Sequence, residues 1–193
     1  IGIEFNPELV ALSTASAKAA GVAGRARFVR GDIFESGLSE ATVVTMFLLP
    51  ELNRRLRPAL LNLKPGTRLV SNTFGMEEWM PDKTSNAGGG CTTWCVALMW
   101  IVPAKVGGVW TLGQDTLTLA QVFQEVSGTL RTVRGVFPVE NGRVLGTELE
   151  FTVNGVRYTG TVNGKHASGQ YGPPDAPNPW SATRVLSRGA GLH

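Results

Sequence analysis

The chain has 193 residues, a formal net charge of +3 and 42% apolar residues. That length suits one medium domain or two small ones, and that apolar content is enough for a packed core, which excludes a natively unfolded chain. The longest apolar runs, Ala41 to Pro50 and Val96 to Pro103, have strand length and fall well short of the roughly 20 residues of a membrane-spanning helix.

The first 35 residues read as part of a nucleotide-binding unit. Ile1-Gly2-Ile3-Glu4-Phe5 is the end of a buried strand closed by an acid. Asn6-Pro7-Glu8 starts a helix expected to run to about Ala20, and Ala26 to Asp32 is a second strand, again ending in an acid. A strand-helix-strand unit with acids at the strand carboxyl ends is how many doubly wound folds hold an adenosine. Ala41 to Leu49 is a continuous apolar, β-branched run of the kind buried on both faces in parallel sheets. Pro50 suits the first turn of a helix. That helix places Leu52, Leu56, Leu60 and Leu63 on one side and Arg54, Arg55 and Arg57 mostly on the other, as a solvated face. Lys64-Pro65-Gly66-Thr67 stops it, and Arg68 to Phe74 is the next strand. Residues 75–90 read as a loop.

From residue 92 strands dominate. The pairs Asn141-Gly142, Asn154-Gly155 and Asn163-Gly164 are each expected to form a two-residue hairpin turn, because both positions tolerate positive φ. Strands are expected over Thr116 to Val126, with a short helix over Leu119 to Val126 as the alternative, and over Gly128 to Val133. Glu148 to Val153 and Val156 to Val162 flank a turn with proper alternation, so an antiparallel meander follows. Gly172 to Pro179 is an extended crossing and Trp180 to Arg184 a last short strand. Cys91 and Cys95 would lie about 13 Å apart in one strand and about 6 Å apart on a turn, so only the second geometry permits a bridge. Two buried thiols are the expected state and a disulfide is the sharper alternative. No Cys or His pair completes a four-ligand metal set, so no metal is expected.

Candidate site residues follow from the strand ends. Glu4 is placed to accept both ribose hydroxyls, or else serves as a charge at a helix N-terminus. Asp32 is placed to accept an adenine amino group with Ile33 against the ring, or else caps a turn. Pro50, Glu51 and Asn53 follow an apolar strand whose carboxyl end faces the ligand crevice in doubly wound sheets. Glu51 and Asn53 are the weak catalytic candidates there, against an ordinary helix start. Asn72, Trp79 and Asp82 are candidate walls of a substrate pocket, with a core role equally open for Trp79. His166 and His193 have no partner that makes a triad or a metal set. The cluster Arg54-Arg55-Leu56-Arg57 lacks interleaved aromatics, so nucleic acid is not an expected partner.

Several of these pieces, in order, resemble the class I S-adenosylmethionine-dependent methyltransferases. They are Gly2-Ile3-Glu4-Phe5-Asn6-Pro7, Arg27 to Phe34, the Val43 to Leu49 strand, and Leu63-Lys64-Pro65-Gly66-Thr67-Arg68 entering a strand. Leu48 to Asn53, with Trp79 and Pro81-Asp82, is most similar to a bacterial subgroup distantly related to small protein-lysine methyltransferases. The resemblance covers about residues 1–103. It implies a Rossmann-like doubly wound parallel sheet followed by the β meander of residues 104–193, whose role it does not name. It implies S-adenosyl-L-methionine as cofactor, with Glu4 on the ribose and Asp32 and Ile33 on the adenine side. It further implies transfer of a methyl group to a protein or small-molecule nucleophile. The Asn-Pro-Pro-Tyr-type motif used on base amines is absent after Leu49.

The family's glycine-rich loop and first strand are not in this sequence, which begins without Met. The chain is therefore expected to be part of a longer protein and, alone, to bind cofactor weakly. A missing central strand would leave two ladders of backbone groups unpaired. Bacterial cytoplasm is the default location, with export left open. The alternatives are an NAD-dependent oxidoreductase, whose ribose is read by a similar acid, and a non-catalytic Rossmann-like binding protein.

Overall fold

A computed structural model describes residues 1–185 and divides the chain into two compact units, Ile1–Glu40 and Ala41–His193. The first unit contains β1 (Gly2–Glu4), α1 (Pro7–Ala19) and β2 (Phe28–Arg30). The start of α1 is written in its sequence: the Asn6 side chain accepts a hydrogen bond from the Glu8 N–H, and Pro7 occupies the first turn. β1 and β2 pair in parallel, with Gly2 opposite Phe28 and Glu4 opposite Arg30. A side chain at Gly2 would fall 2.5 Å from the Phe28 ring, so glycine there is what lets the ring cross the strand.

The second unit opens with β3 (Val43–Met46), α2 (Pro50–Leu60) and β4 (Arg68–Asn72), followed by β5 (Lys83–Asn86) and β6 (Val96–Ile101). They form a sheet of order β3-β4-β6-β5. β3 and β4 are parallel, joined through α2, while β6 runs antiparallel to both β4 and β5. Leu56, Leu60 and Leu63 are buried as their spacing predicts. Arg57 departs from the expected solvated face. It donates to Met76 O at 2.9 Å and to Glu78 at 2.6 Å, tying α2 to the segment after β4.

Two expectations fail in this sheet. The β3 run is buried on one face only: Val44 and Met46 are covered, whereas Val43, Phe47 and Leu49 are 42%, 57% and 62% exposed. Residues 75–90 are not all loop, because Lys83–Asn86 pairs with β6. The sequence hides this strand because it is polar and exposed along its whole length, so no apolar alternation marks it.

The remaining strands are β7 (Gly108–Leu112), β8 (Asp115–Val122), β9 (Glu125–Thr132), β10 (Gly135–Leu145), β11 (Glu148–Val153), β12 (Val156–Asn163), β13 (His166–Tyr171) and β14 (Asn178–Arg184). Each runs antiparallel to the next, and β14 returns to pair with β7 through Thr183 opposite Thr111, closing an eight-stranded barrel. Closure removes both free edges. The interior is packed by alternate residues, among them Trp110, Leu117, Leu130, Val144, Phe151 and Trp180.

The three Asn-Gly pairs have three different fates. Asn154-Gly155 is the expected turn, with φ of 49° and 75° between the paired Val153 and Val156. At Asn163-Gly164 the turn is offset by one residue. Asn163 pairs with His166, so the central residues are Gly164 and Lys165, and only Gly164 has positive φ. Asn141-Gly142 is not a turn at all. It lies inside β10, where the register jumps against both neighbouring strands. It is a bulge in which Asn141 takes φ 52° and Gly142 lies so close to β9 that a Cβ would sit 2.2 Å from Val126 O. A long strand that curves around a small barrel needs such a bend.

Sheet and barrel are joined by a few specific contacts. The Trp79 ring stacks on Phe123 at 5.9 Å and 10°, and the Gln124 amide donates to Met80 O at 2.9 Å. Asp82 accepts from the Ile101 N–H at 2.7 Å and from Arg143 at 2.6 Å. Phe123 holds φ 53°, a conformation rare for an aromatic residue, at the tip of the β8–β9 turn where its ring meets Trp79.

Candidate active site

In the first unit, parallel pairing brings the carboxyl ends of β1 and β2 side by side, and the Gly31 N–H donates to Glu4 O at 3.1 Å. Glu4 and Asp32 therefore occupy the same end of this two-stranded sheet. Glu4 Oε1 accepts from the Asn6 N–H at 2.8 Å, which orients the carboxylate immediately before α1. Asp32 Oδ1 accepts from the Phe34 N–H at 2.8 Å, and the Ser36 hydroxyl donates to Asp32 O at 2.6 Å. Asp32 thus caps a turn, as its alternative reading had it, and Ile33 beside it is half-buried. A carboxylate fixed by one backbone N–H keeps acceptor capacity on its other oxygen. These acceptors fit the hydroxyls of a ribose and the amino group of a ring: two oriented acids at one sheet end, with a half-buried apolar residue next to Asp32 in sequence.

In the second unit, the residues after β3 and β4 do not behave as one group. Pro50 and Glu51 are exposed in the first turn of α2, and Asn72 is exposed, its Oδ1 accepting from the Thr73 hydroxyl at 2.8 Å. Asn53 is fully buried. Its amide donates to Ser71 Oγ at 3.3 Å, Phe74 O at 3.0 Å and Gly75 O at 3.2 Å. It pins the chain leaving β4 and is closed to any substrate, which removes it as a catalytic candidate. Trp79 is also removed from the pocket wall, being 0% exposed between Phe123 and Trp100. Asp82, whose side chain is 5% exposed, holds the barrel. Among the described residues no group of three His, Cys, Asp or Glu converges as a metal site. His166 is exposed on the barrel beside Thr183, and His193 lies outside the described residues.

The sequence reading missed an aromatic cluster. Phe47, just past β3, Phe74, just past β4, and Trp94 have ring centroids 5.2 to 6.0 Å apart. Phe47 and Trp94 are 57% and 50% exposed. Trp94 stands at φ 59° in the short loop closed by a Cys91–Cys95 disulfide, with Cα atoms 5.8 Å apart. This corrects the expectation of buried thiols: Cys91 is exposed, and a turn supplies the bridgeable spacing. The only signal in the sequence was the Cys-x-x-x-Cys spacing around Trp94, and spacing alone does not say that the loop turns.

Residues 1–83 match the family model described as the ANTKMT methyltransferase domain. A protein-lysine N-methyltransferase of Saccharolobus islandicus (strain REY15A) is 49% identical over 82 residues, covering 42% of this chain and 51% of that one. A lysine N-methyltransferase of Mus musculus, named for a component of ATP synthase, is 34% identical over 89 residues, covering 46% of this chain and 36% of its own length. A solved RNA methyltransferase from Salinibacter ruber, in complex with S-adenosyl-L-homocysteine, is 44% identical with a TM-score of 0.50, covering 54% of this chain and 66% of that one. The chain spans about half or less of the curated relatives it matches. Its N-terminal 83 residues are thus similar to a methyltransferase domain.

Proposed function

We propose that this chain belongs to an enzyme that transfers a methyl group from S-adenosyl-L-methionine to a protein lysine. The observation that carries the proposal is the pair of oriented acids, Glu4 and Asp32, at one end of a parallel strand pair inside the matched methyltransferase segment. The same reading takes residues 1–103 as a Rossmann-like catalytic part and residues 104–193 as a C-terminal region that carries the barrel strands β7 to β14. Glu4 would hold the ribose hydroxyls, while Asp32 and Ile33 would meet the adenine. The cofactor supplies the activated methyl, so the chain's own task is to bind, orient and exclude water.

For the acceptor, both curated relatives are described as lysine methyltransferases. An exposed aromatic cluster such as Phe47, Phe74 and Trp94 attracts an ammonium through the ring faces. The Salinibacter ruber neighbour is described as an RNA methyltransferase, which supports RNA as a second reading. Aromatic rings also stack on bases, so the cluster does not choose between the two acceptors. None of the relatives named above is a dehydrogenase.

The test uses the whole polypeptide that the gene encodes. Titration with S-adenosylhomocysteine is expected to show binding that Glu4→Ala weakens by about tenfold or more, since hydrogen bonds to a charged acceptor are worth ~1.5–3 kcal/mol. Binding unaffected by Glu4→Ala in a folded protein would overturn the ribose assignment. Transfer of labelled methyl to the protein fraction of a lysate, rather than its RNA fraction, is expected. Label in RNA alone would replace lysine by RNA as the acceptor.

A further inference from the structure

We propose that the cleft where the β6–β7 connection meets the β12–β13 hairpin binds a compact phosphate-bearing ligand. The cleft has a volume of about 550 Å³, and its polar lining includes Asn62, Lys105, Thr147, Asn163, Lys165 and Arg184. Three of these are cations, and among the described residues no Asp or Glu lines it.

Arg184 is held in an unusual way. Its guanidinium lies 4.6 Å over the ring of the buried Trp110 and donates to the Lys105 carbonyl, while its Nε is buried with no hydrogen-bond partner. Lys105 Nζ donates to the Asn62 side-chain oxygen, a neutral partner. Three other arginines of this unit are met by carboxylates, Arg57 by Glu78, Arg143 by Asp82 and Arg157 by Glu150, each at 2.6 Å. Burial also pulls the Arg184 pKa below its usual value, so part of the hydration of its charge has been given up, and among the described residues no anion is gained in return.

Like charges gathered in a concave site repel one another and focus a positive potential there. Both effects turn favourable when a dianion enters, and a planar guanidinium is well shaped for phosphate oxygens. The three cationic residues line one hollow rather than a stripe. A stripe is the footprint of a nucleic-acid backbone, so a compact ligand fits better. The proposal does not depend on the methyltransferase reading.

Pyrophosphate is the probe, titrated calorimetrically at low salt into the full chain with sodium sulfate and a single-stranded oligonucleotide as comparison arms. Pyrophosphate is expected to bind and to raise Tm. Lys165→Glu reverses a charge at an exposed turn position and is expected to fold normally while losing about tenfold or more in affinity. Lys165→Arg should retain binding, and Lys105→Gln should lose part of it. No binding by the parent chain, or equal binding by the folded Lys165→Glu variant, would overturn the site. Sulfate binding as tightly as pyrophosphate would mean non-selective ion pairing and would overturn it too. An oligonucleotide binding more tightly than pyrophosphate would replace the compact ligand with a nucleic acid.

Discussion

Replacing Trp79 separates the two roles its position suggested. The indole is fully buried, stacked on Phe123 at 5.9 Å and tilted against Trp100 at 6.2 Å, and the Trp100 Nε1–H donates to Trp79 O at 2.8 Å. Trp79→Ala empties the contact between sheet and barrel, and such truncations cost roughly 3–5 kcal/mol. At about 2–4 °C per kcal/mol for a chain of this size, the transition should fall by roughly 6–20 °C. Trp79→Phe behaves differently. It keeps a ring against Phe123 and deletes the Trp79 Nε1–H, a buried donor with no partner. Leaving such a donor unpaired costs ~1–3 kcal/mol, which offsets the lost area, so the net change should stay within about 1.5 kcal/mol. Differential scanning calorimetry measures both variants. Trp79→Ala with an unchanged transition would refute the core role. So would Trp79→Phe with an unchanged transition but an altered acceptor KM, because that pattern belongs to a pocket wall.

Three further outcomes follow from the packing and charge. Gly169→Ala should destabilise the barrel by about 3 kcal/mol or more in urea unfolding, because its Cβ would lie 1.9 Å from Thr159 O and neither backbone can yield without opening the β12–β13 ladder. Reduction of Cys91–Cys95 should lower Tm and shift Trp94 emission, since freeing a five-residue loop restores about 2 kcal/mol of chain entropy to the unfolded state. The Cys91→Ser/Cys95→Ser variant should then ignore reductant. The Arg157 guanidinium holds the Glu150 carboxyl below the usual carboxylate range, so the pair's contribution is present above the unfolded-state pKa and is lost as pH falls through the lower, folded one. Both side chains are about half exposed, so a Glu150→Gln variant should flatten the acid limb of a Tm-against-pH curve only slightly.

Local chemistry alone determined a good deal here. The Asn6-Pro7-Glu8 start of α1, the strand-ending Glu4, the turn-capping Asp32, the α2 stripe of Leu56, Leu60 and Leu63, and the Asn154-Gly155 hairpin are each set by residues within one turn or one strand. Such features are legible because a cap, a period or a two-residue turn needs no distant partner. What only the tertiary structure decided depends on what lies opposite. β5 has no apolar alternation and exists because β6 offers it a ladder. Asn141-Gly142 has turn chemistry yet becomes a bulge because β9 presses against it and the barrel must curve. Asn53 and Trp79 carry side chains suited to a site but are committed to the core by the segments that fold over them. Phe47, Phe74 and Trp94 are far apart in sequence and meet only because β3 and β4 run parallel and a disulfide turns the chain between β5 and β6. The closing pair of β7 and β14 joins Thr111 to Thr183, a separation at which no local pattern can specify a contact.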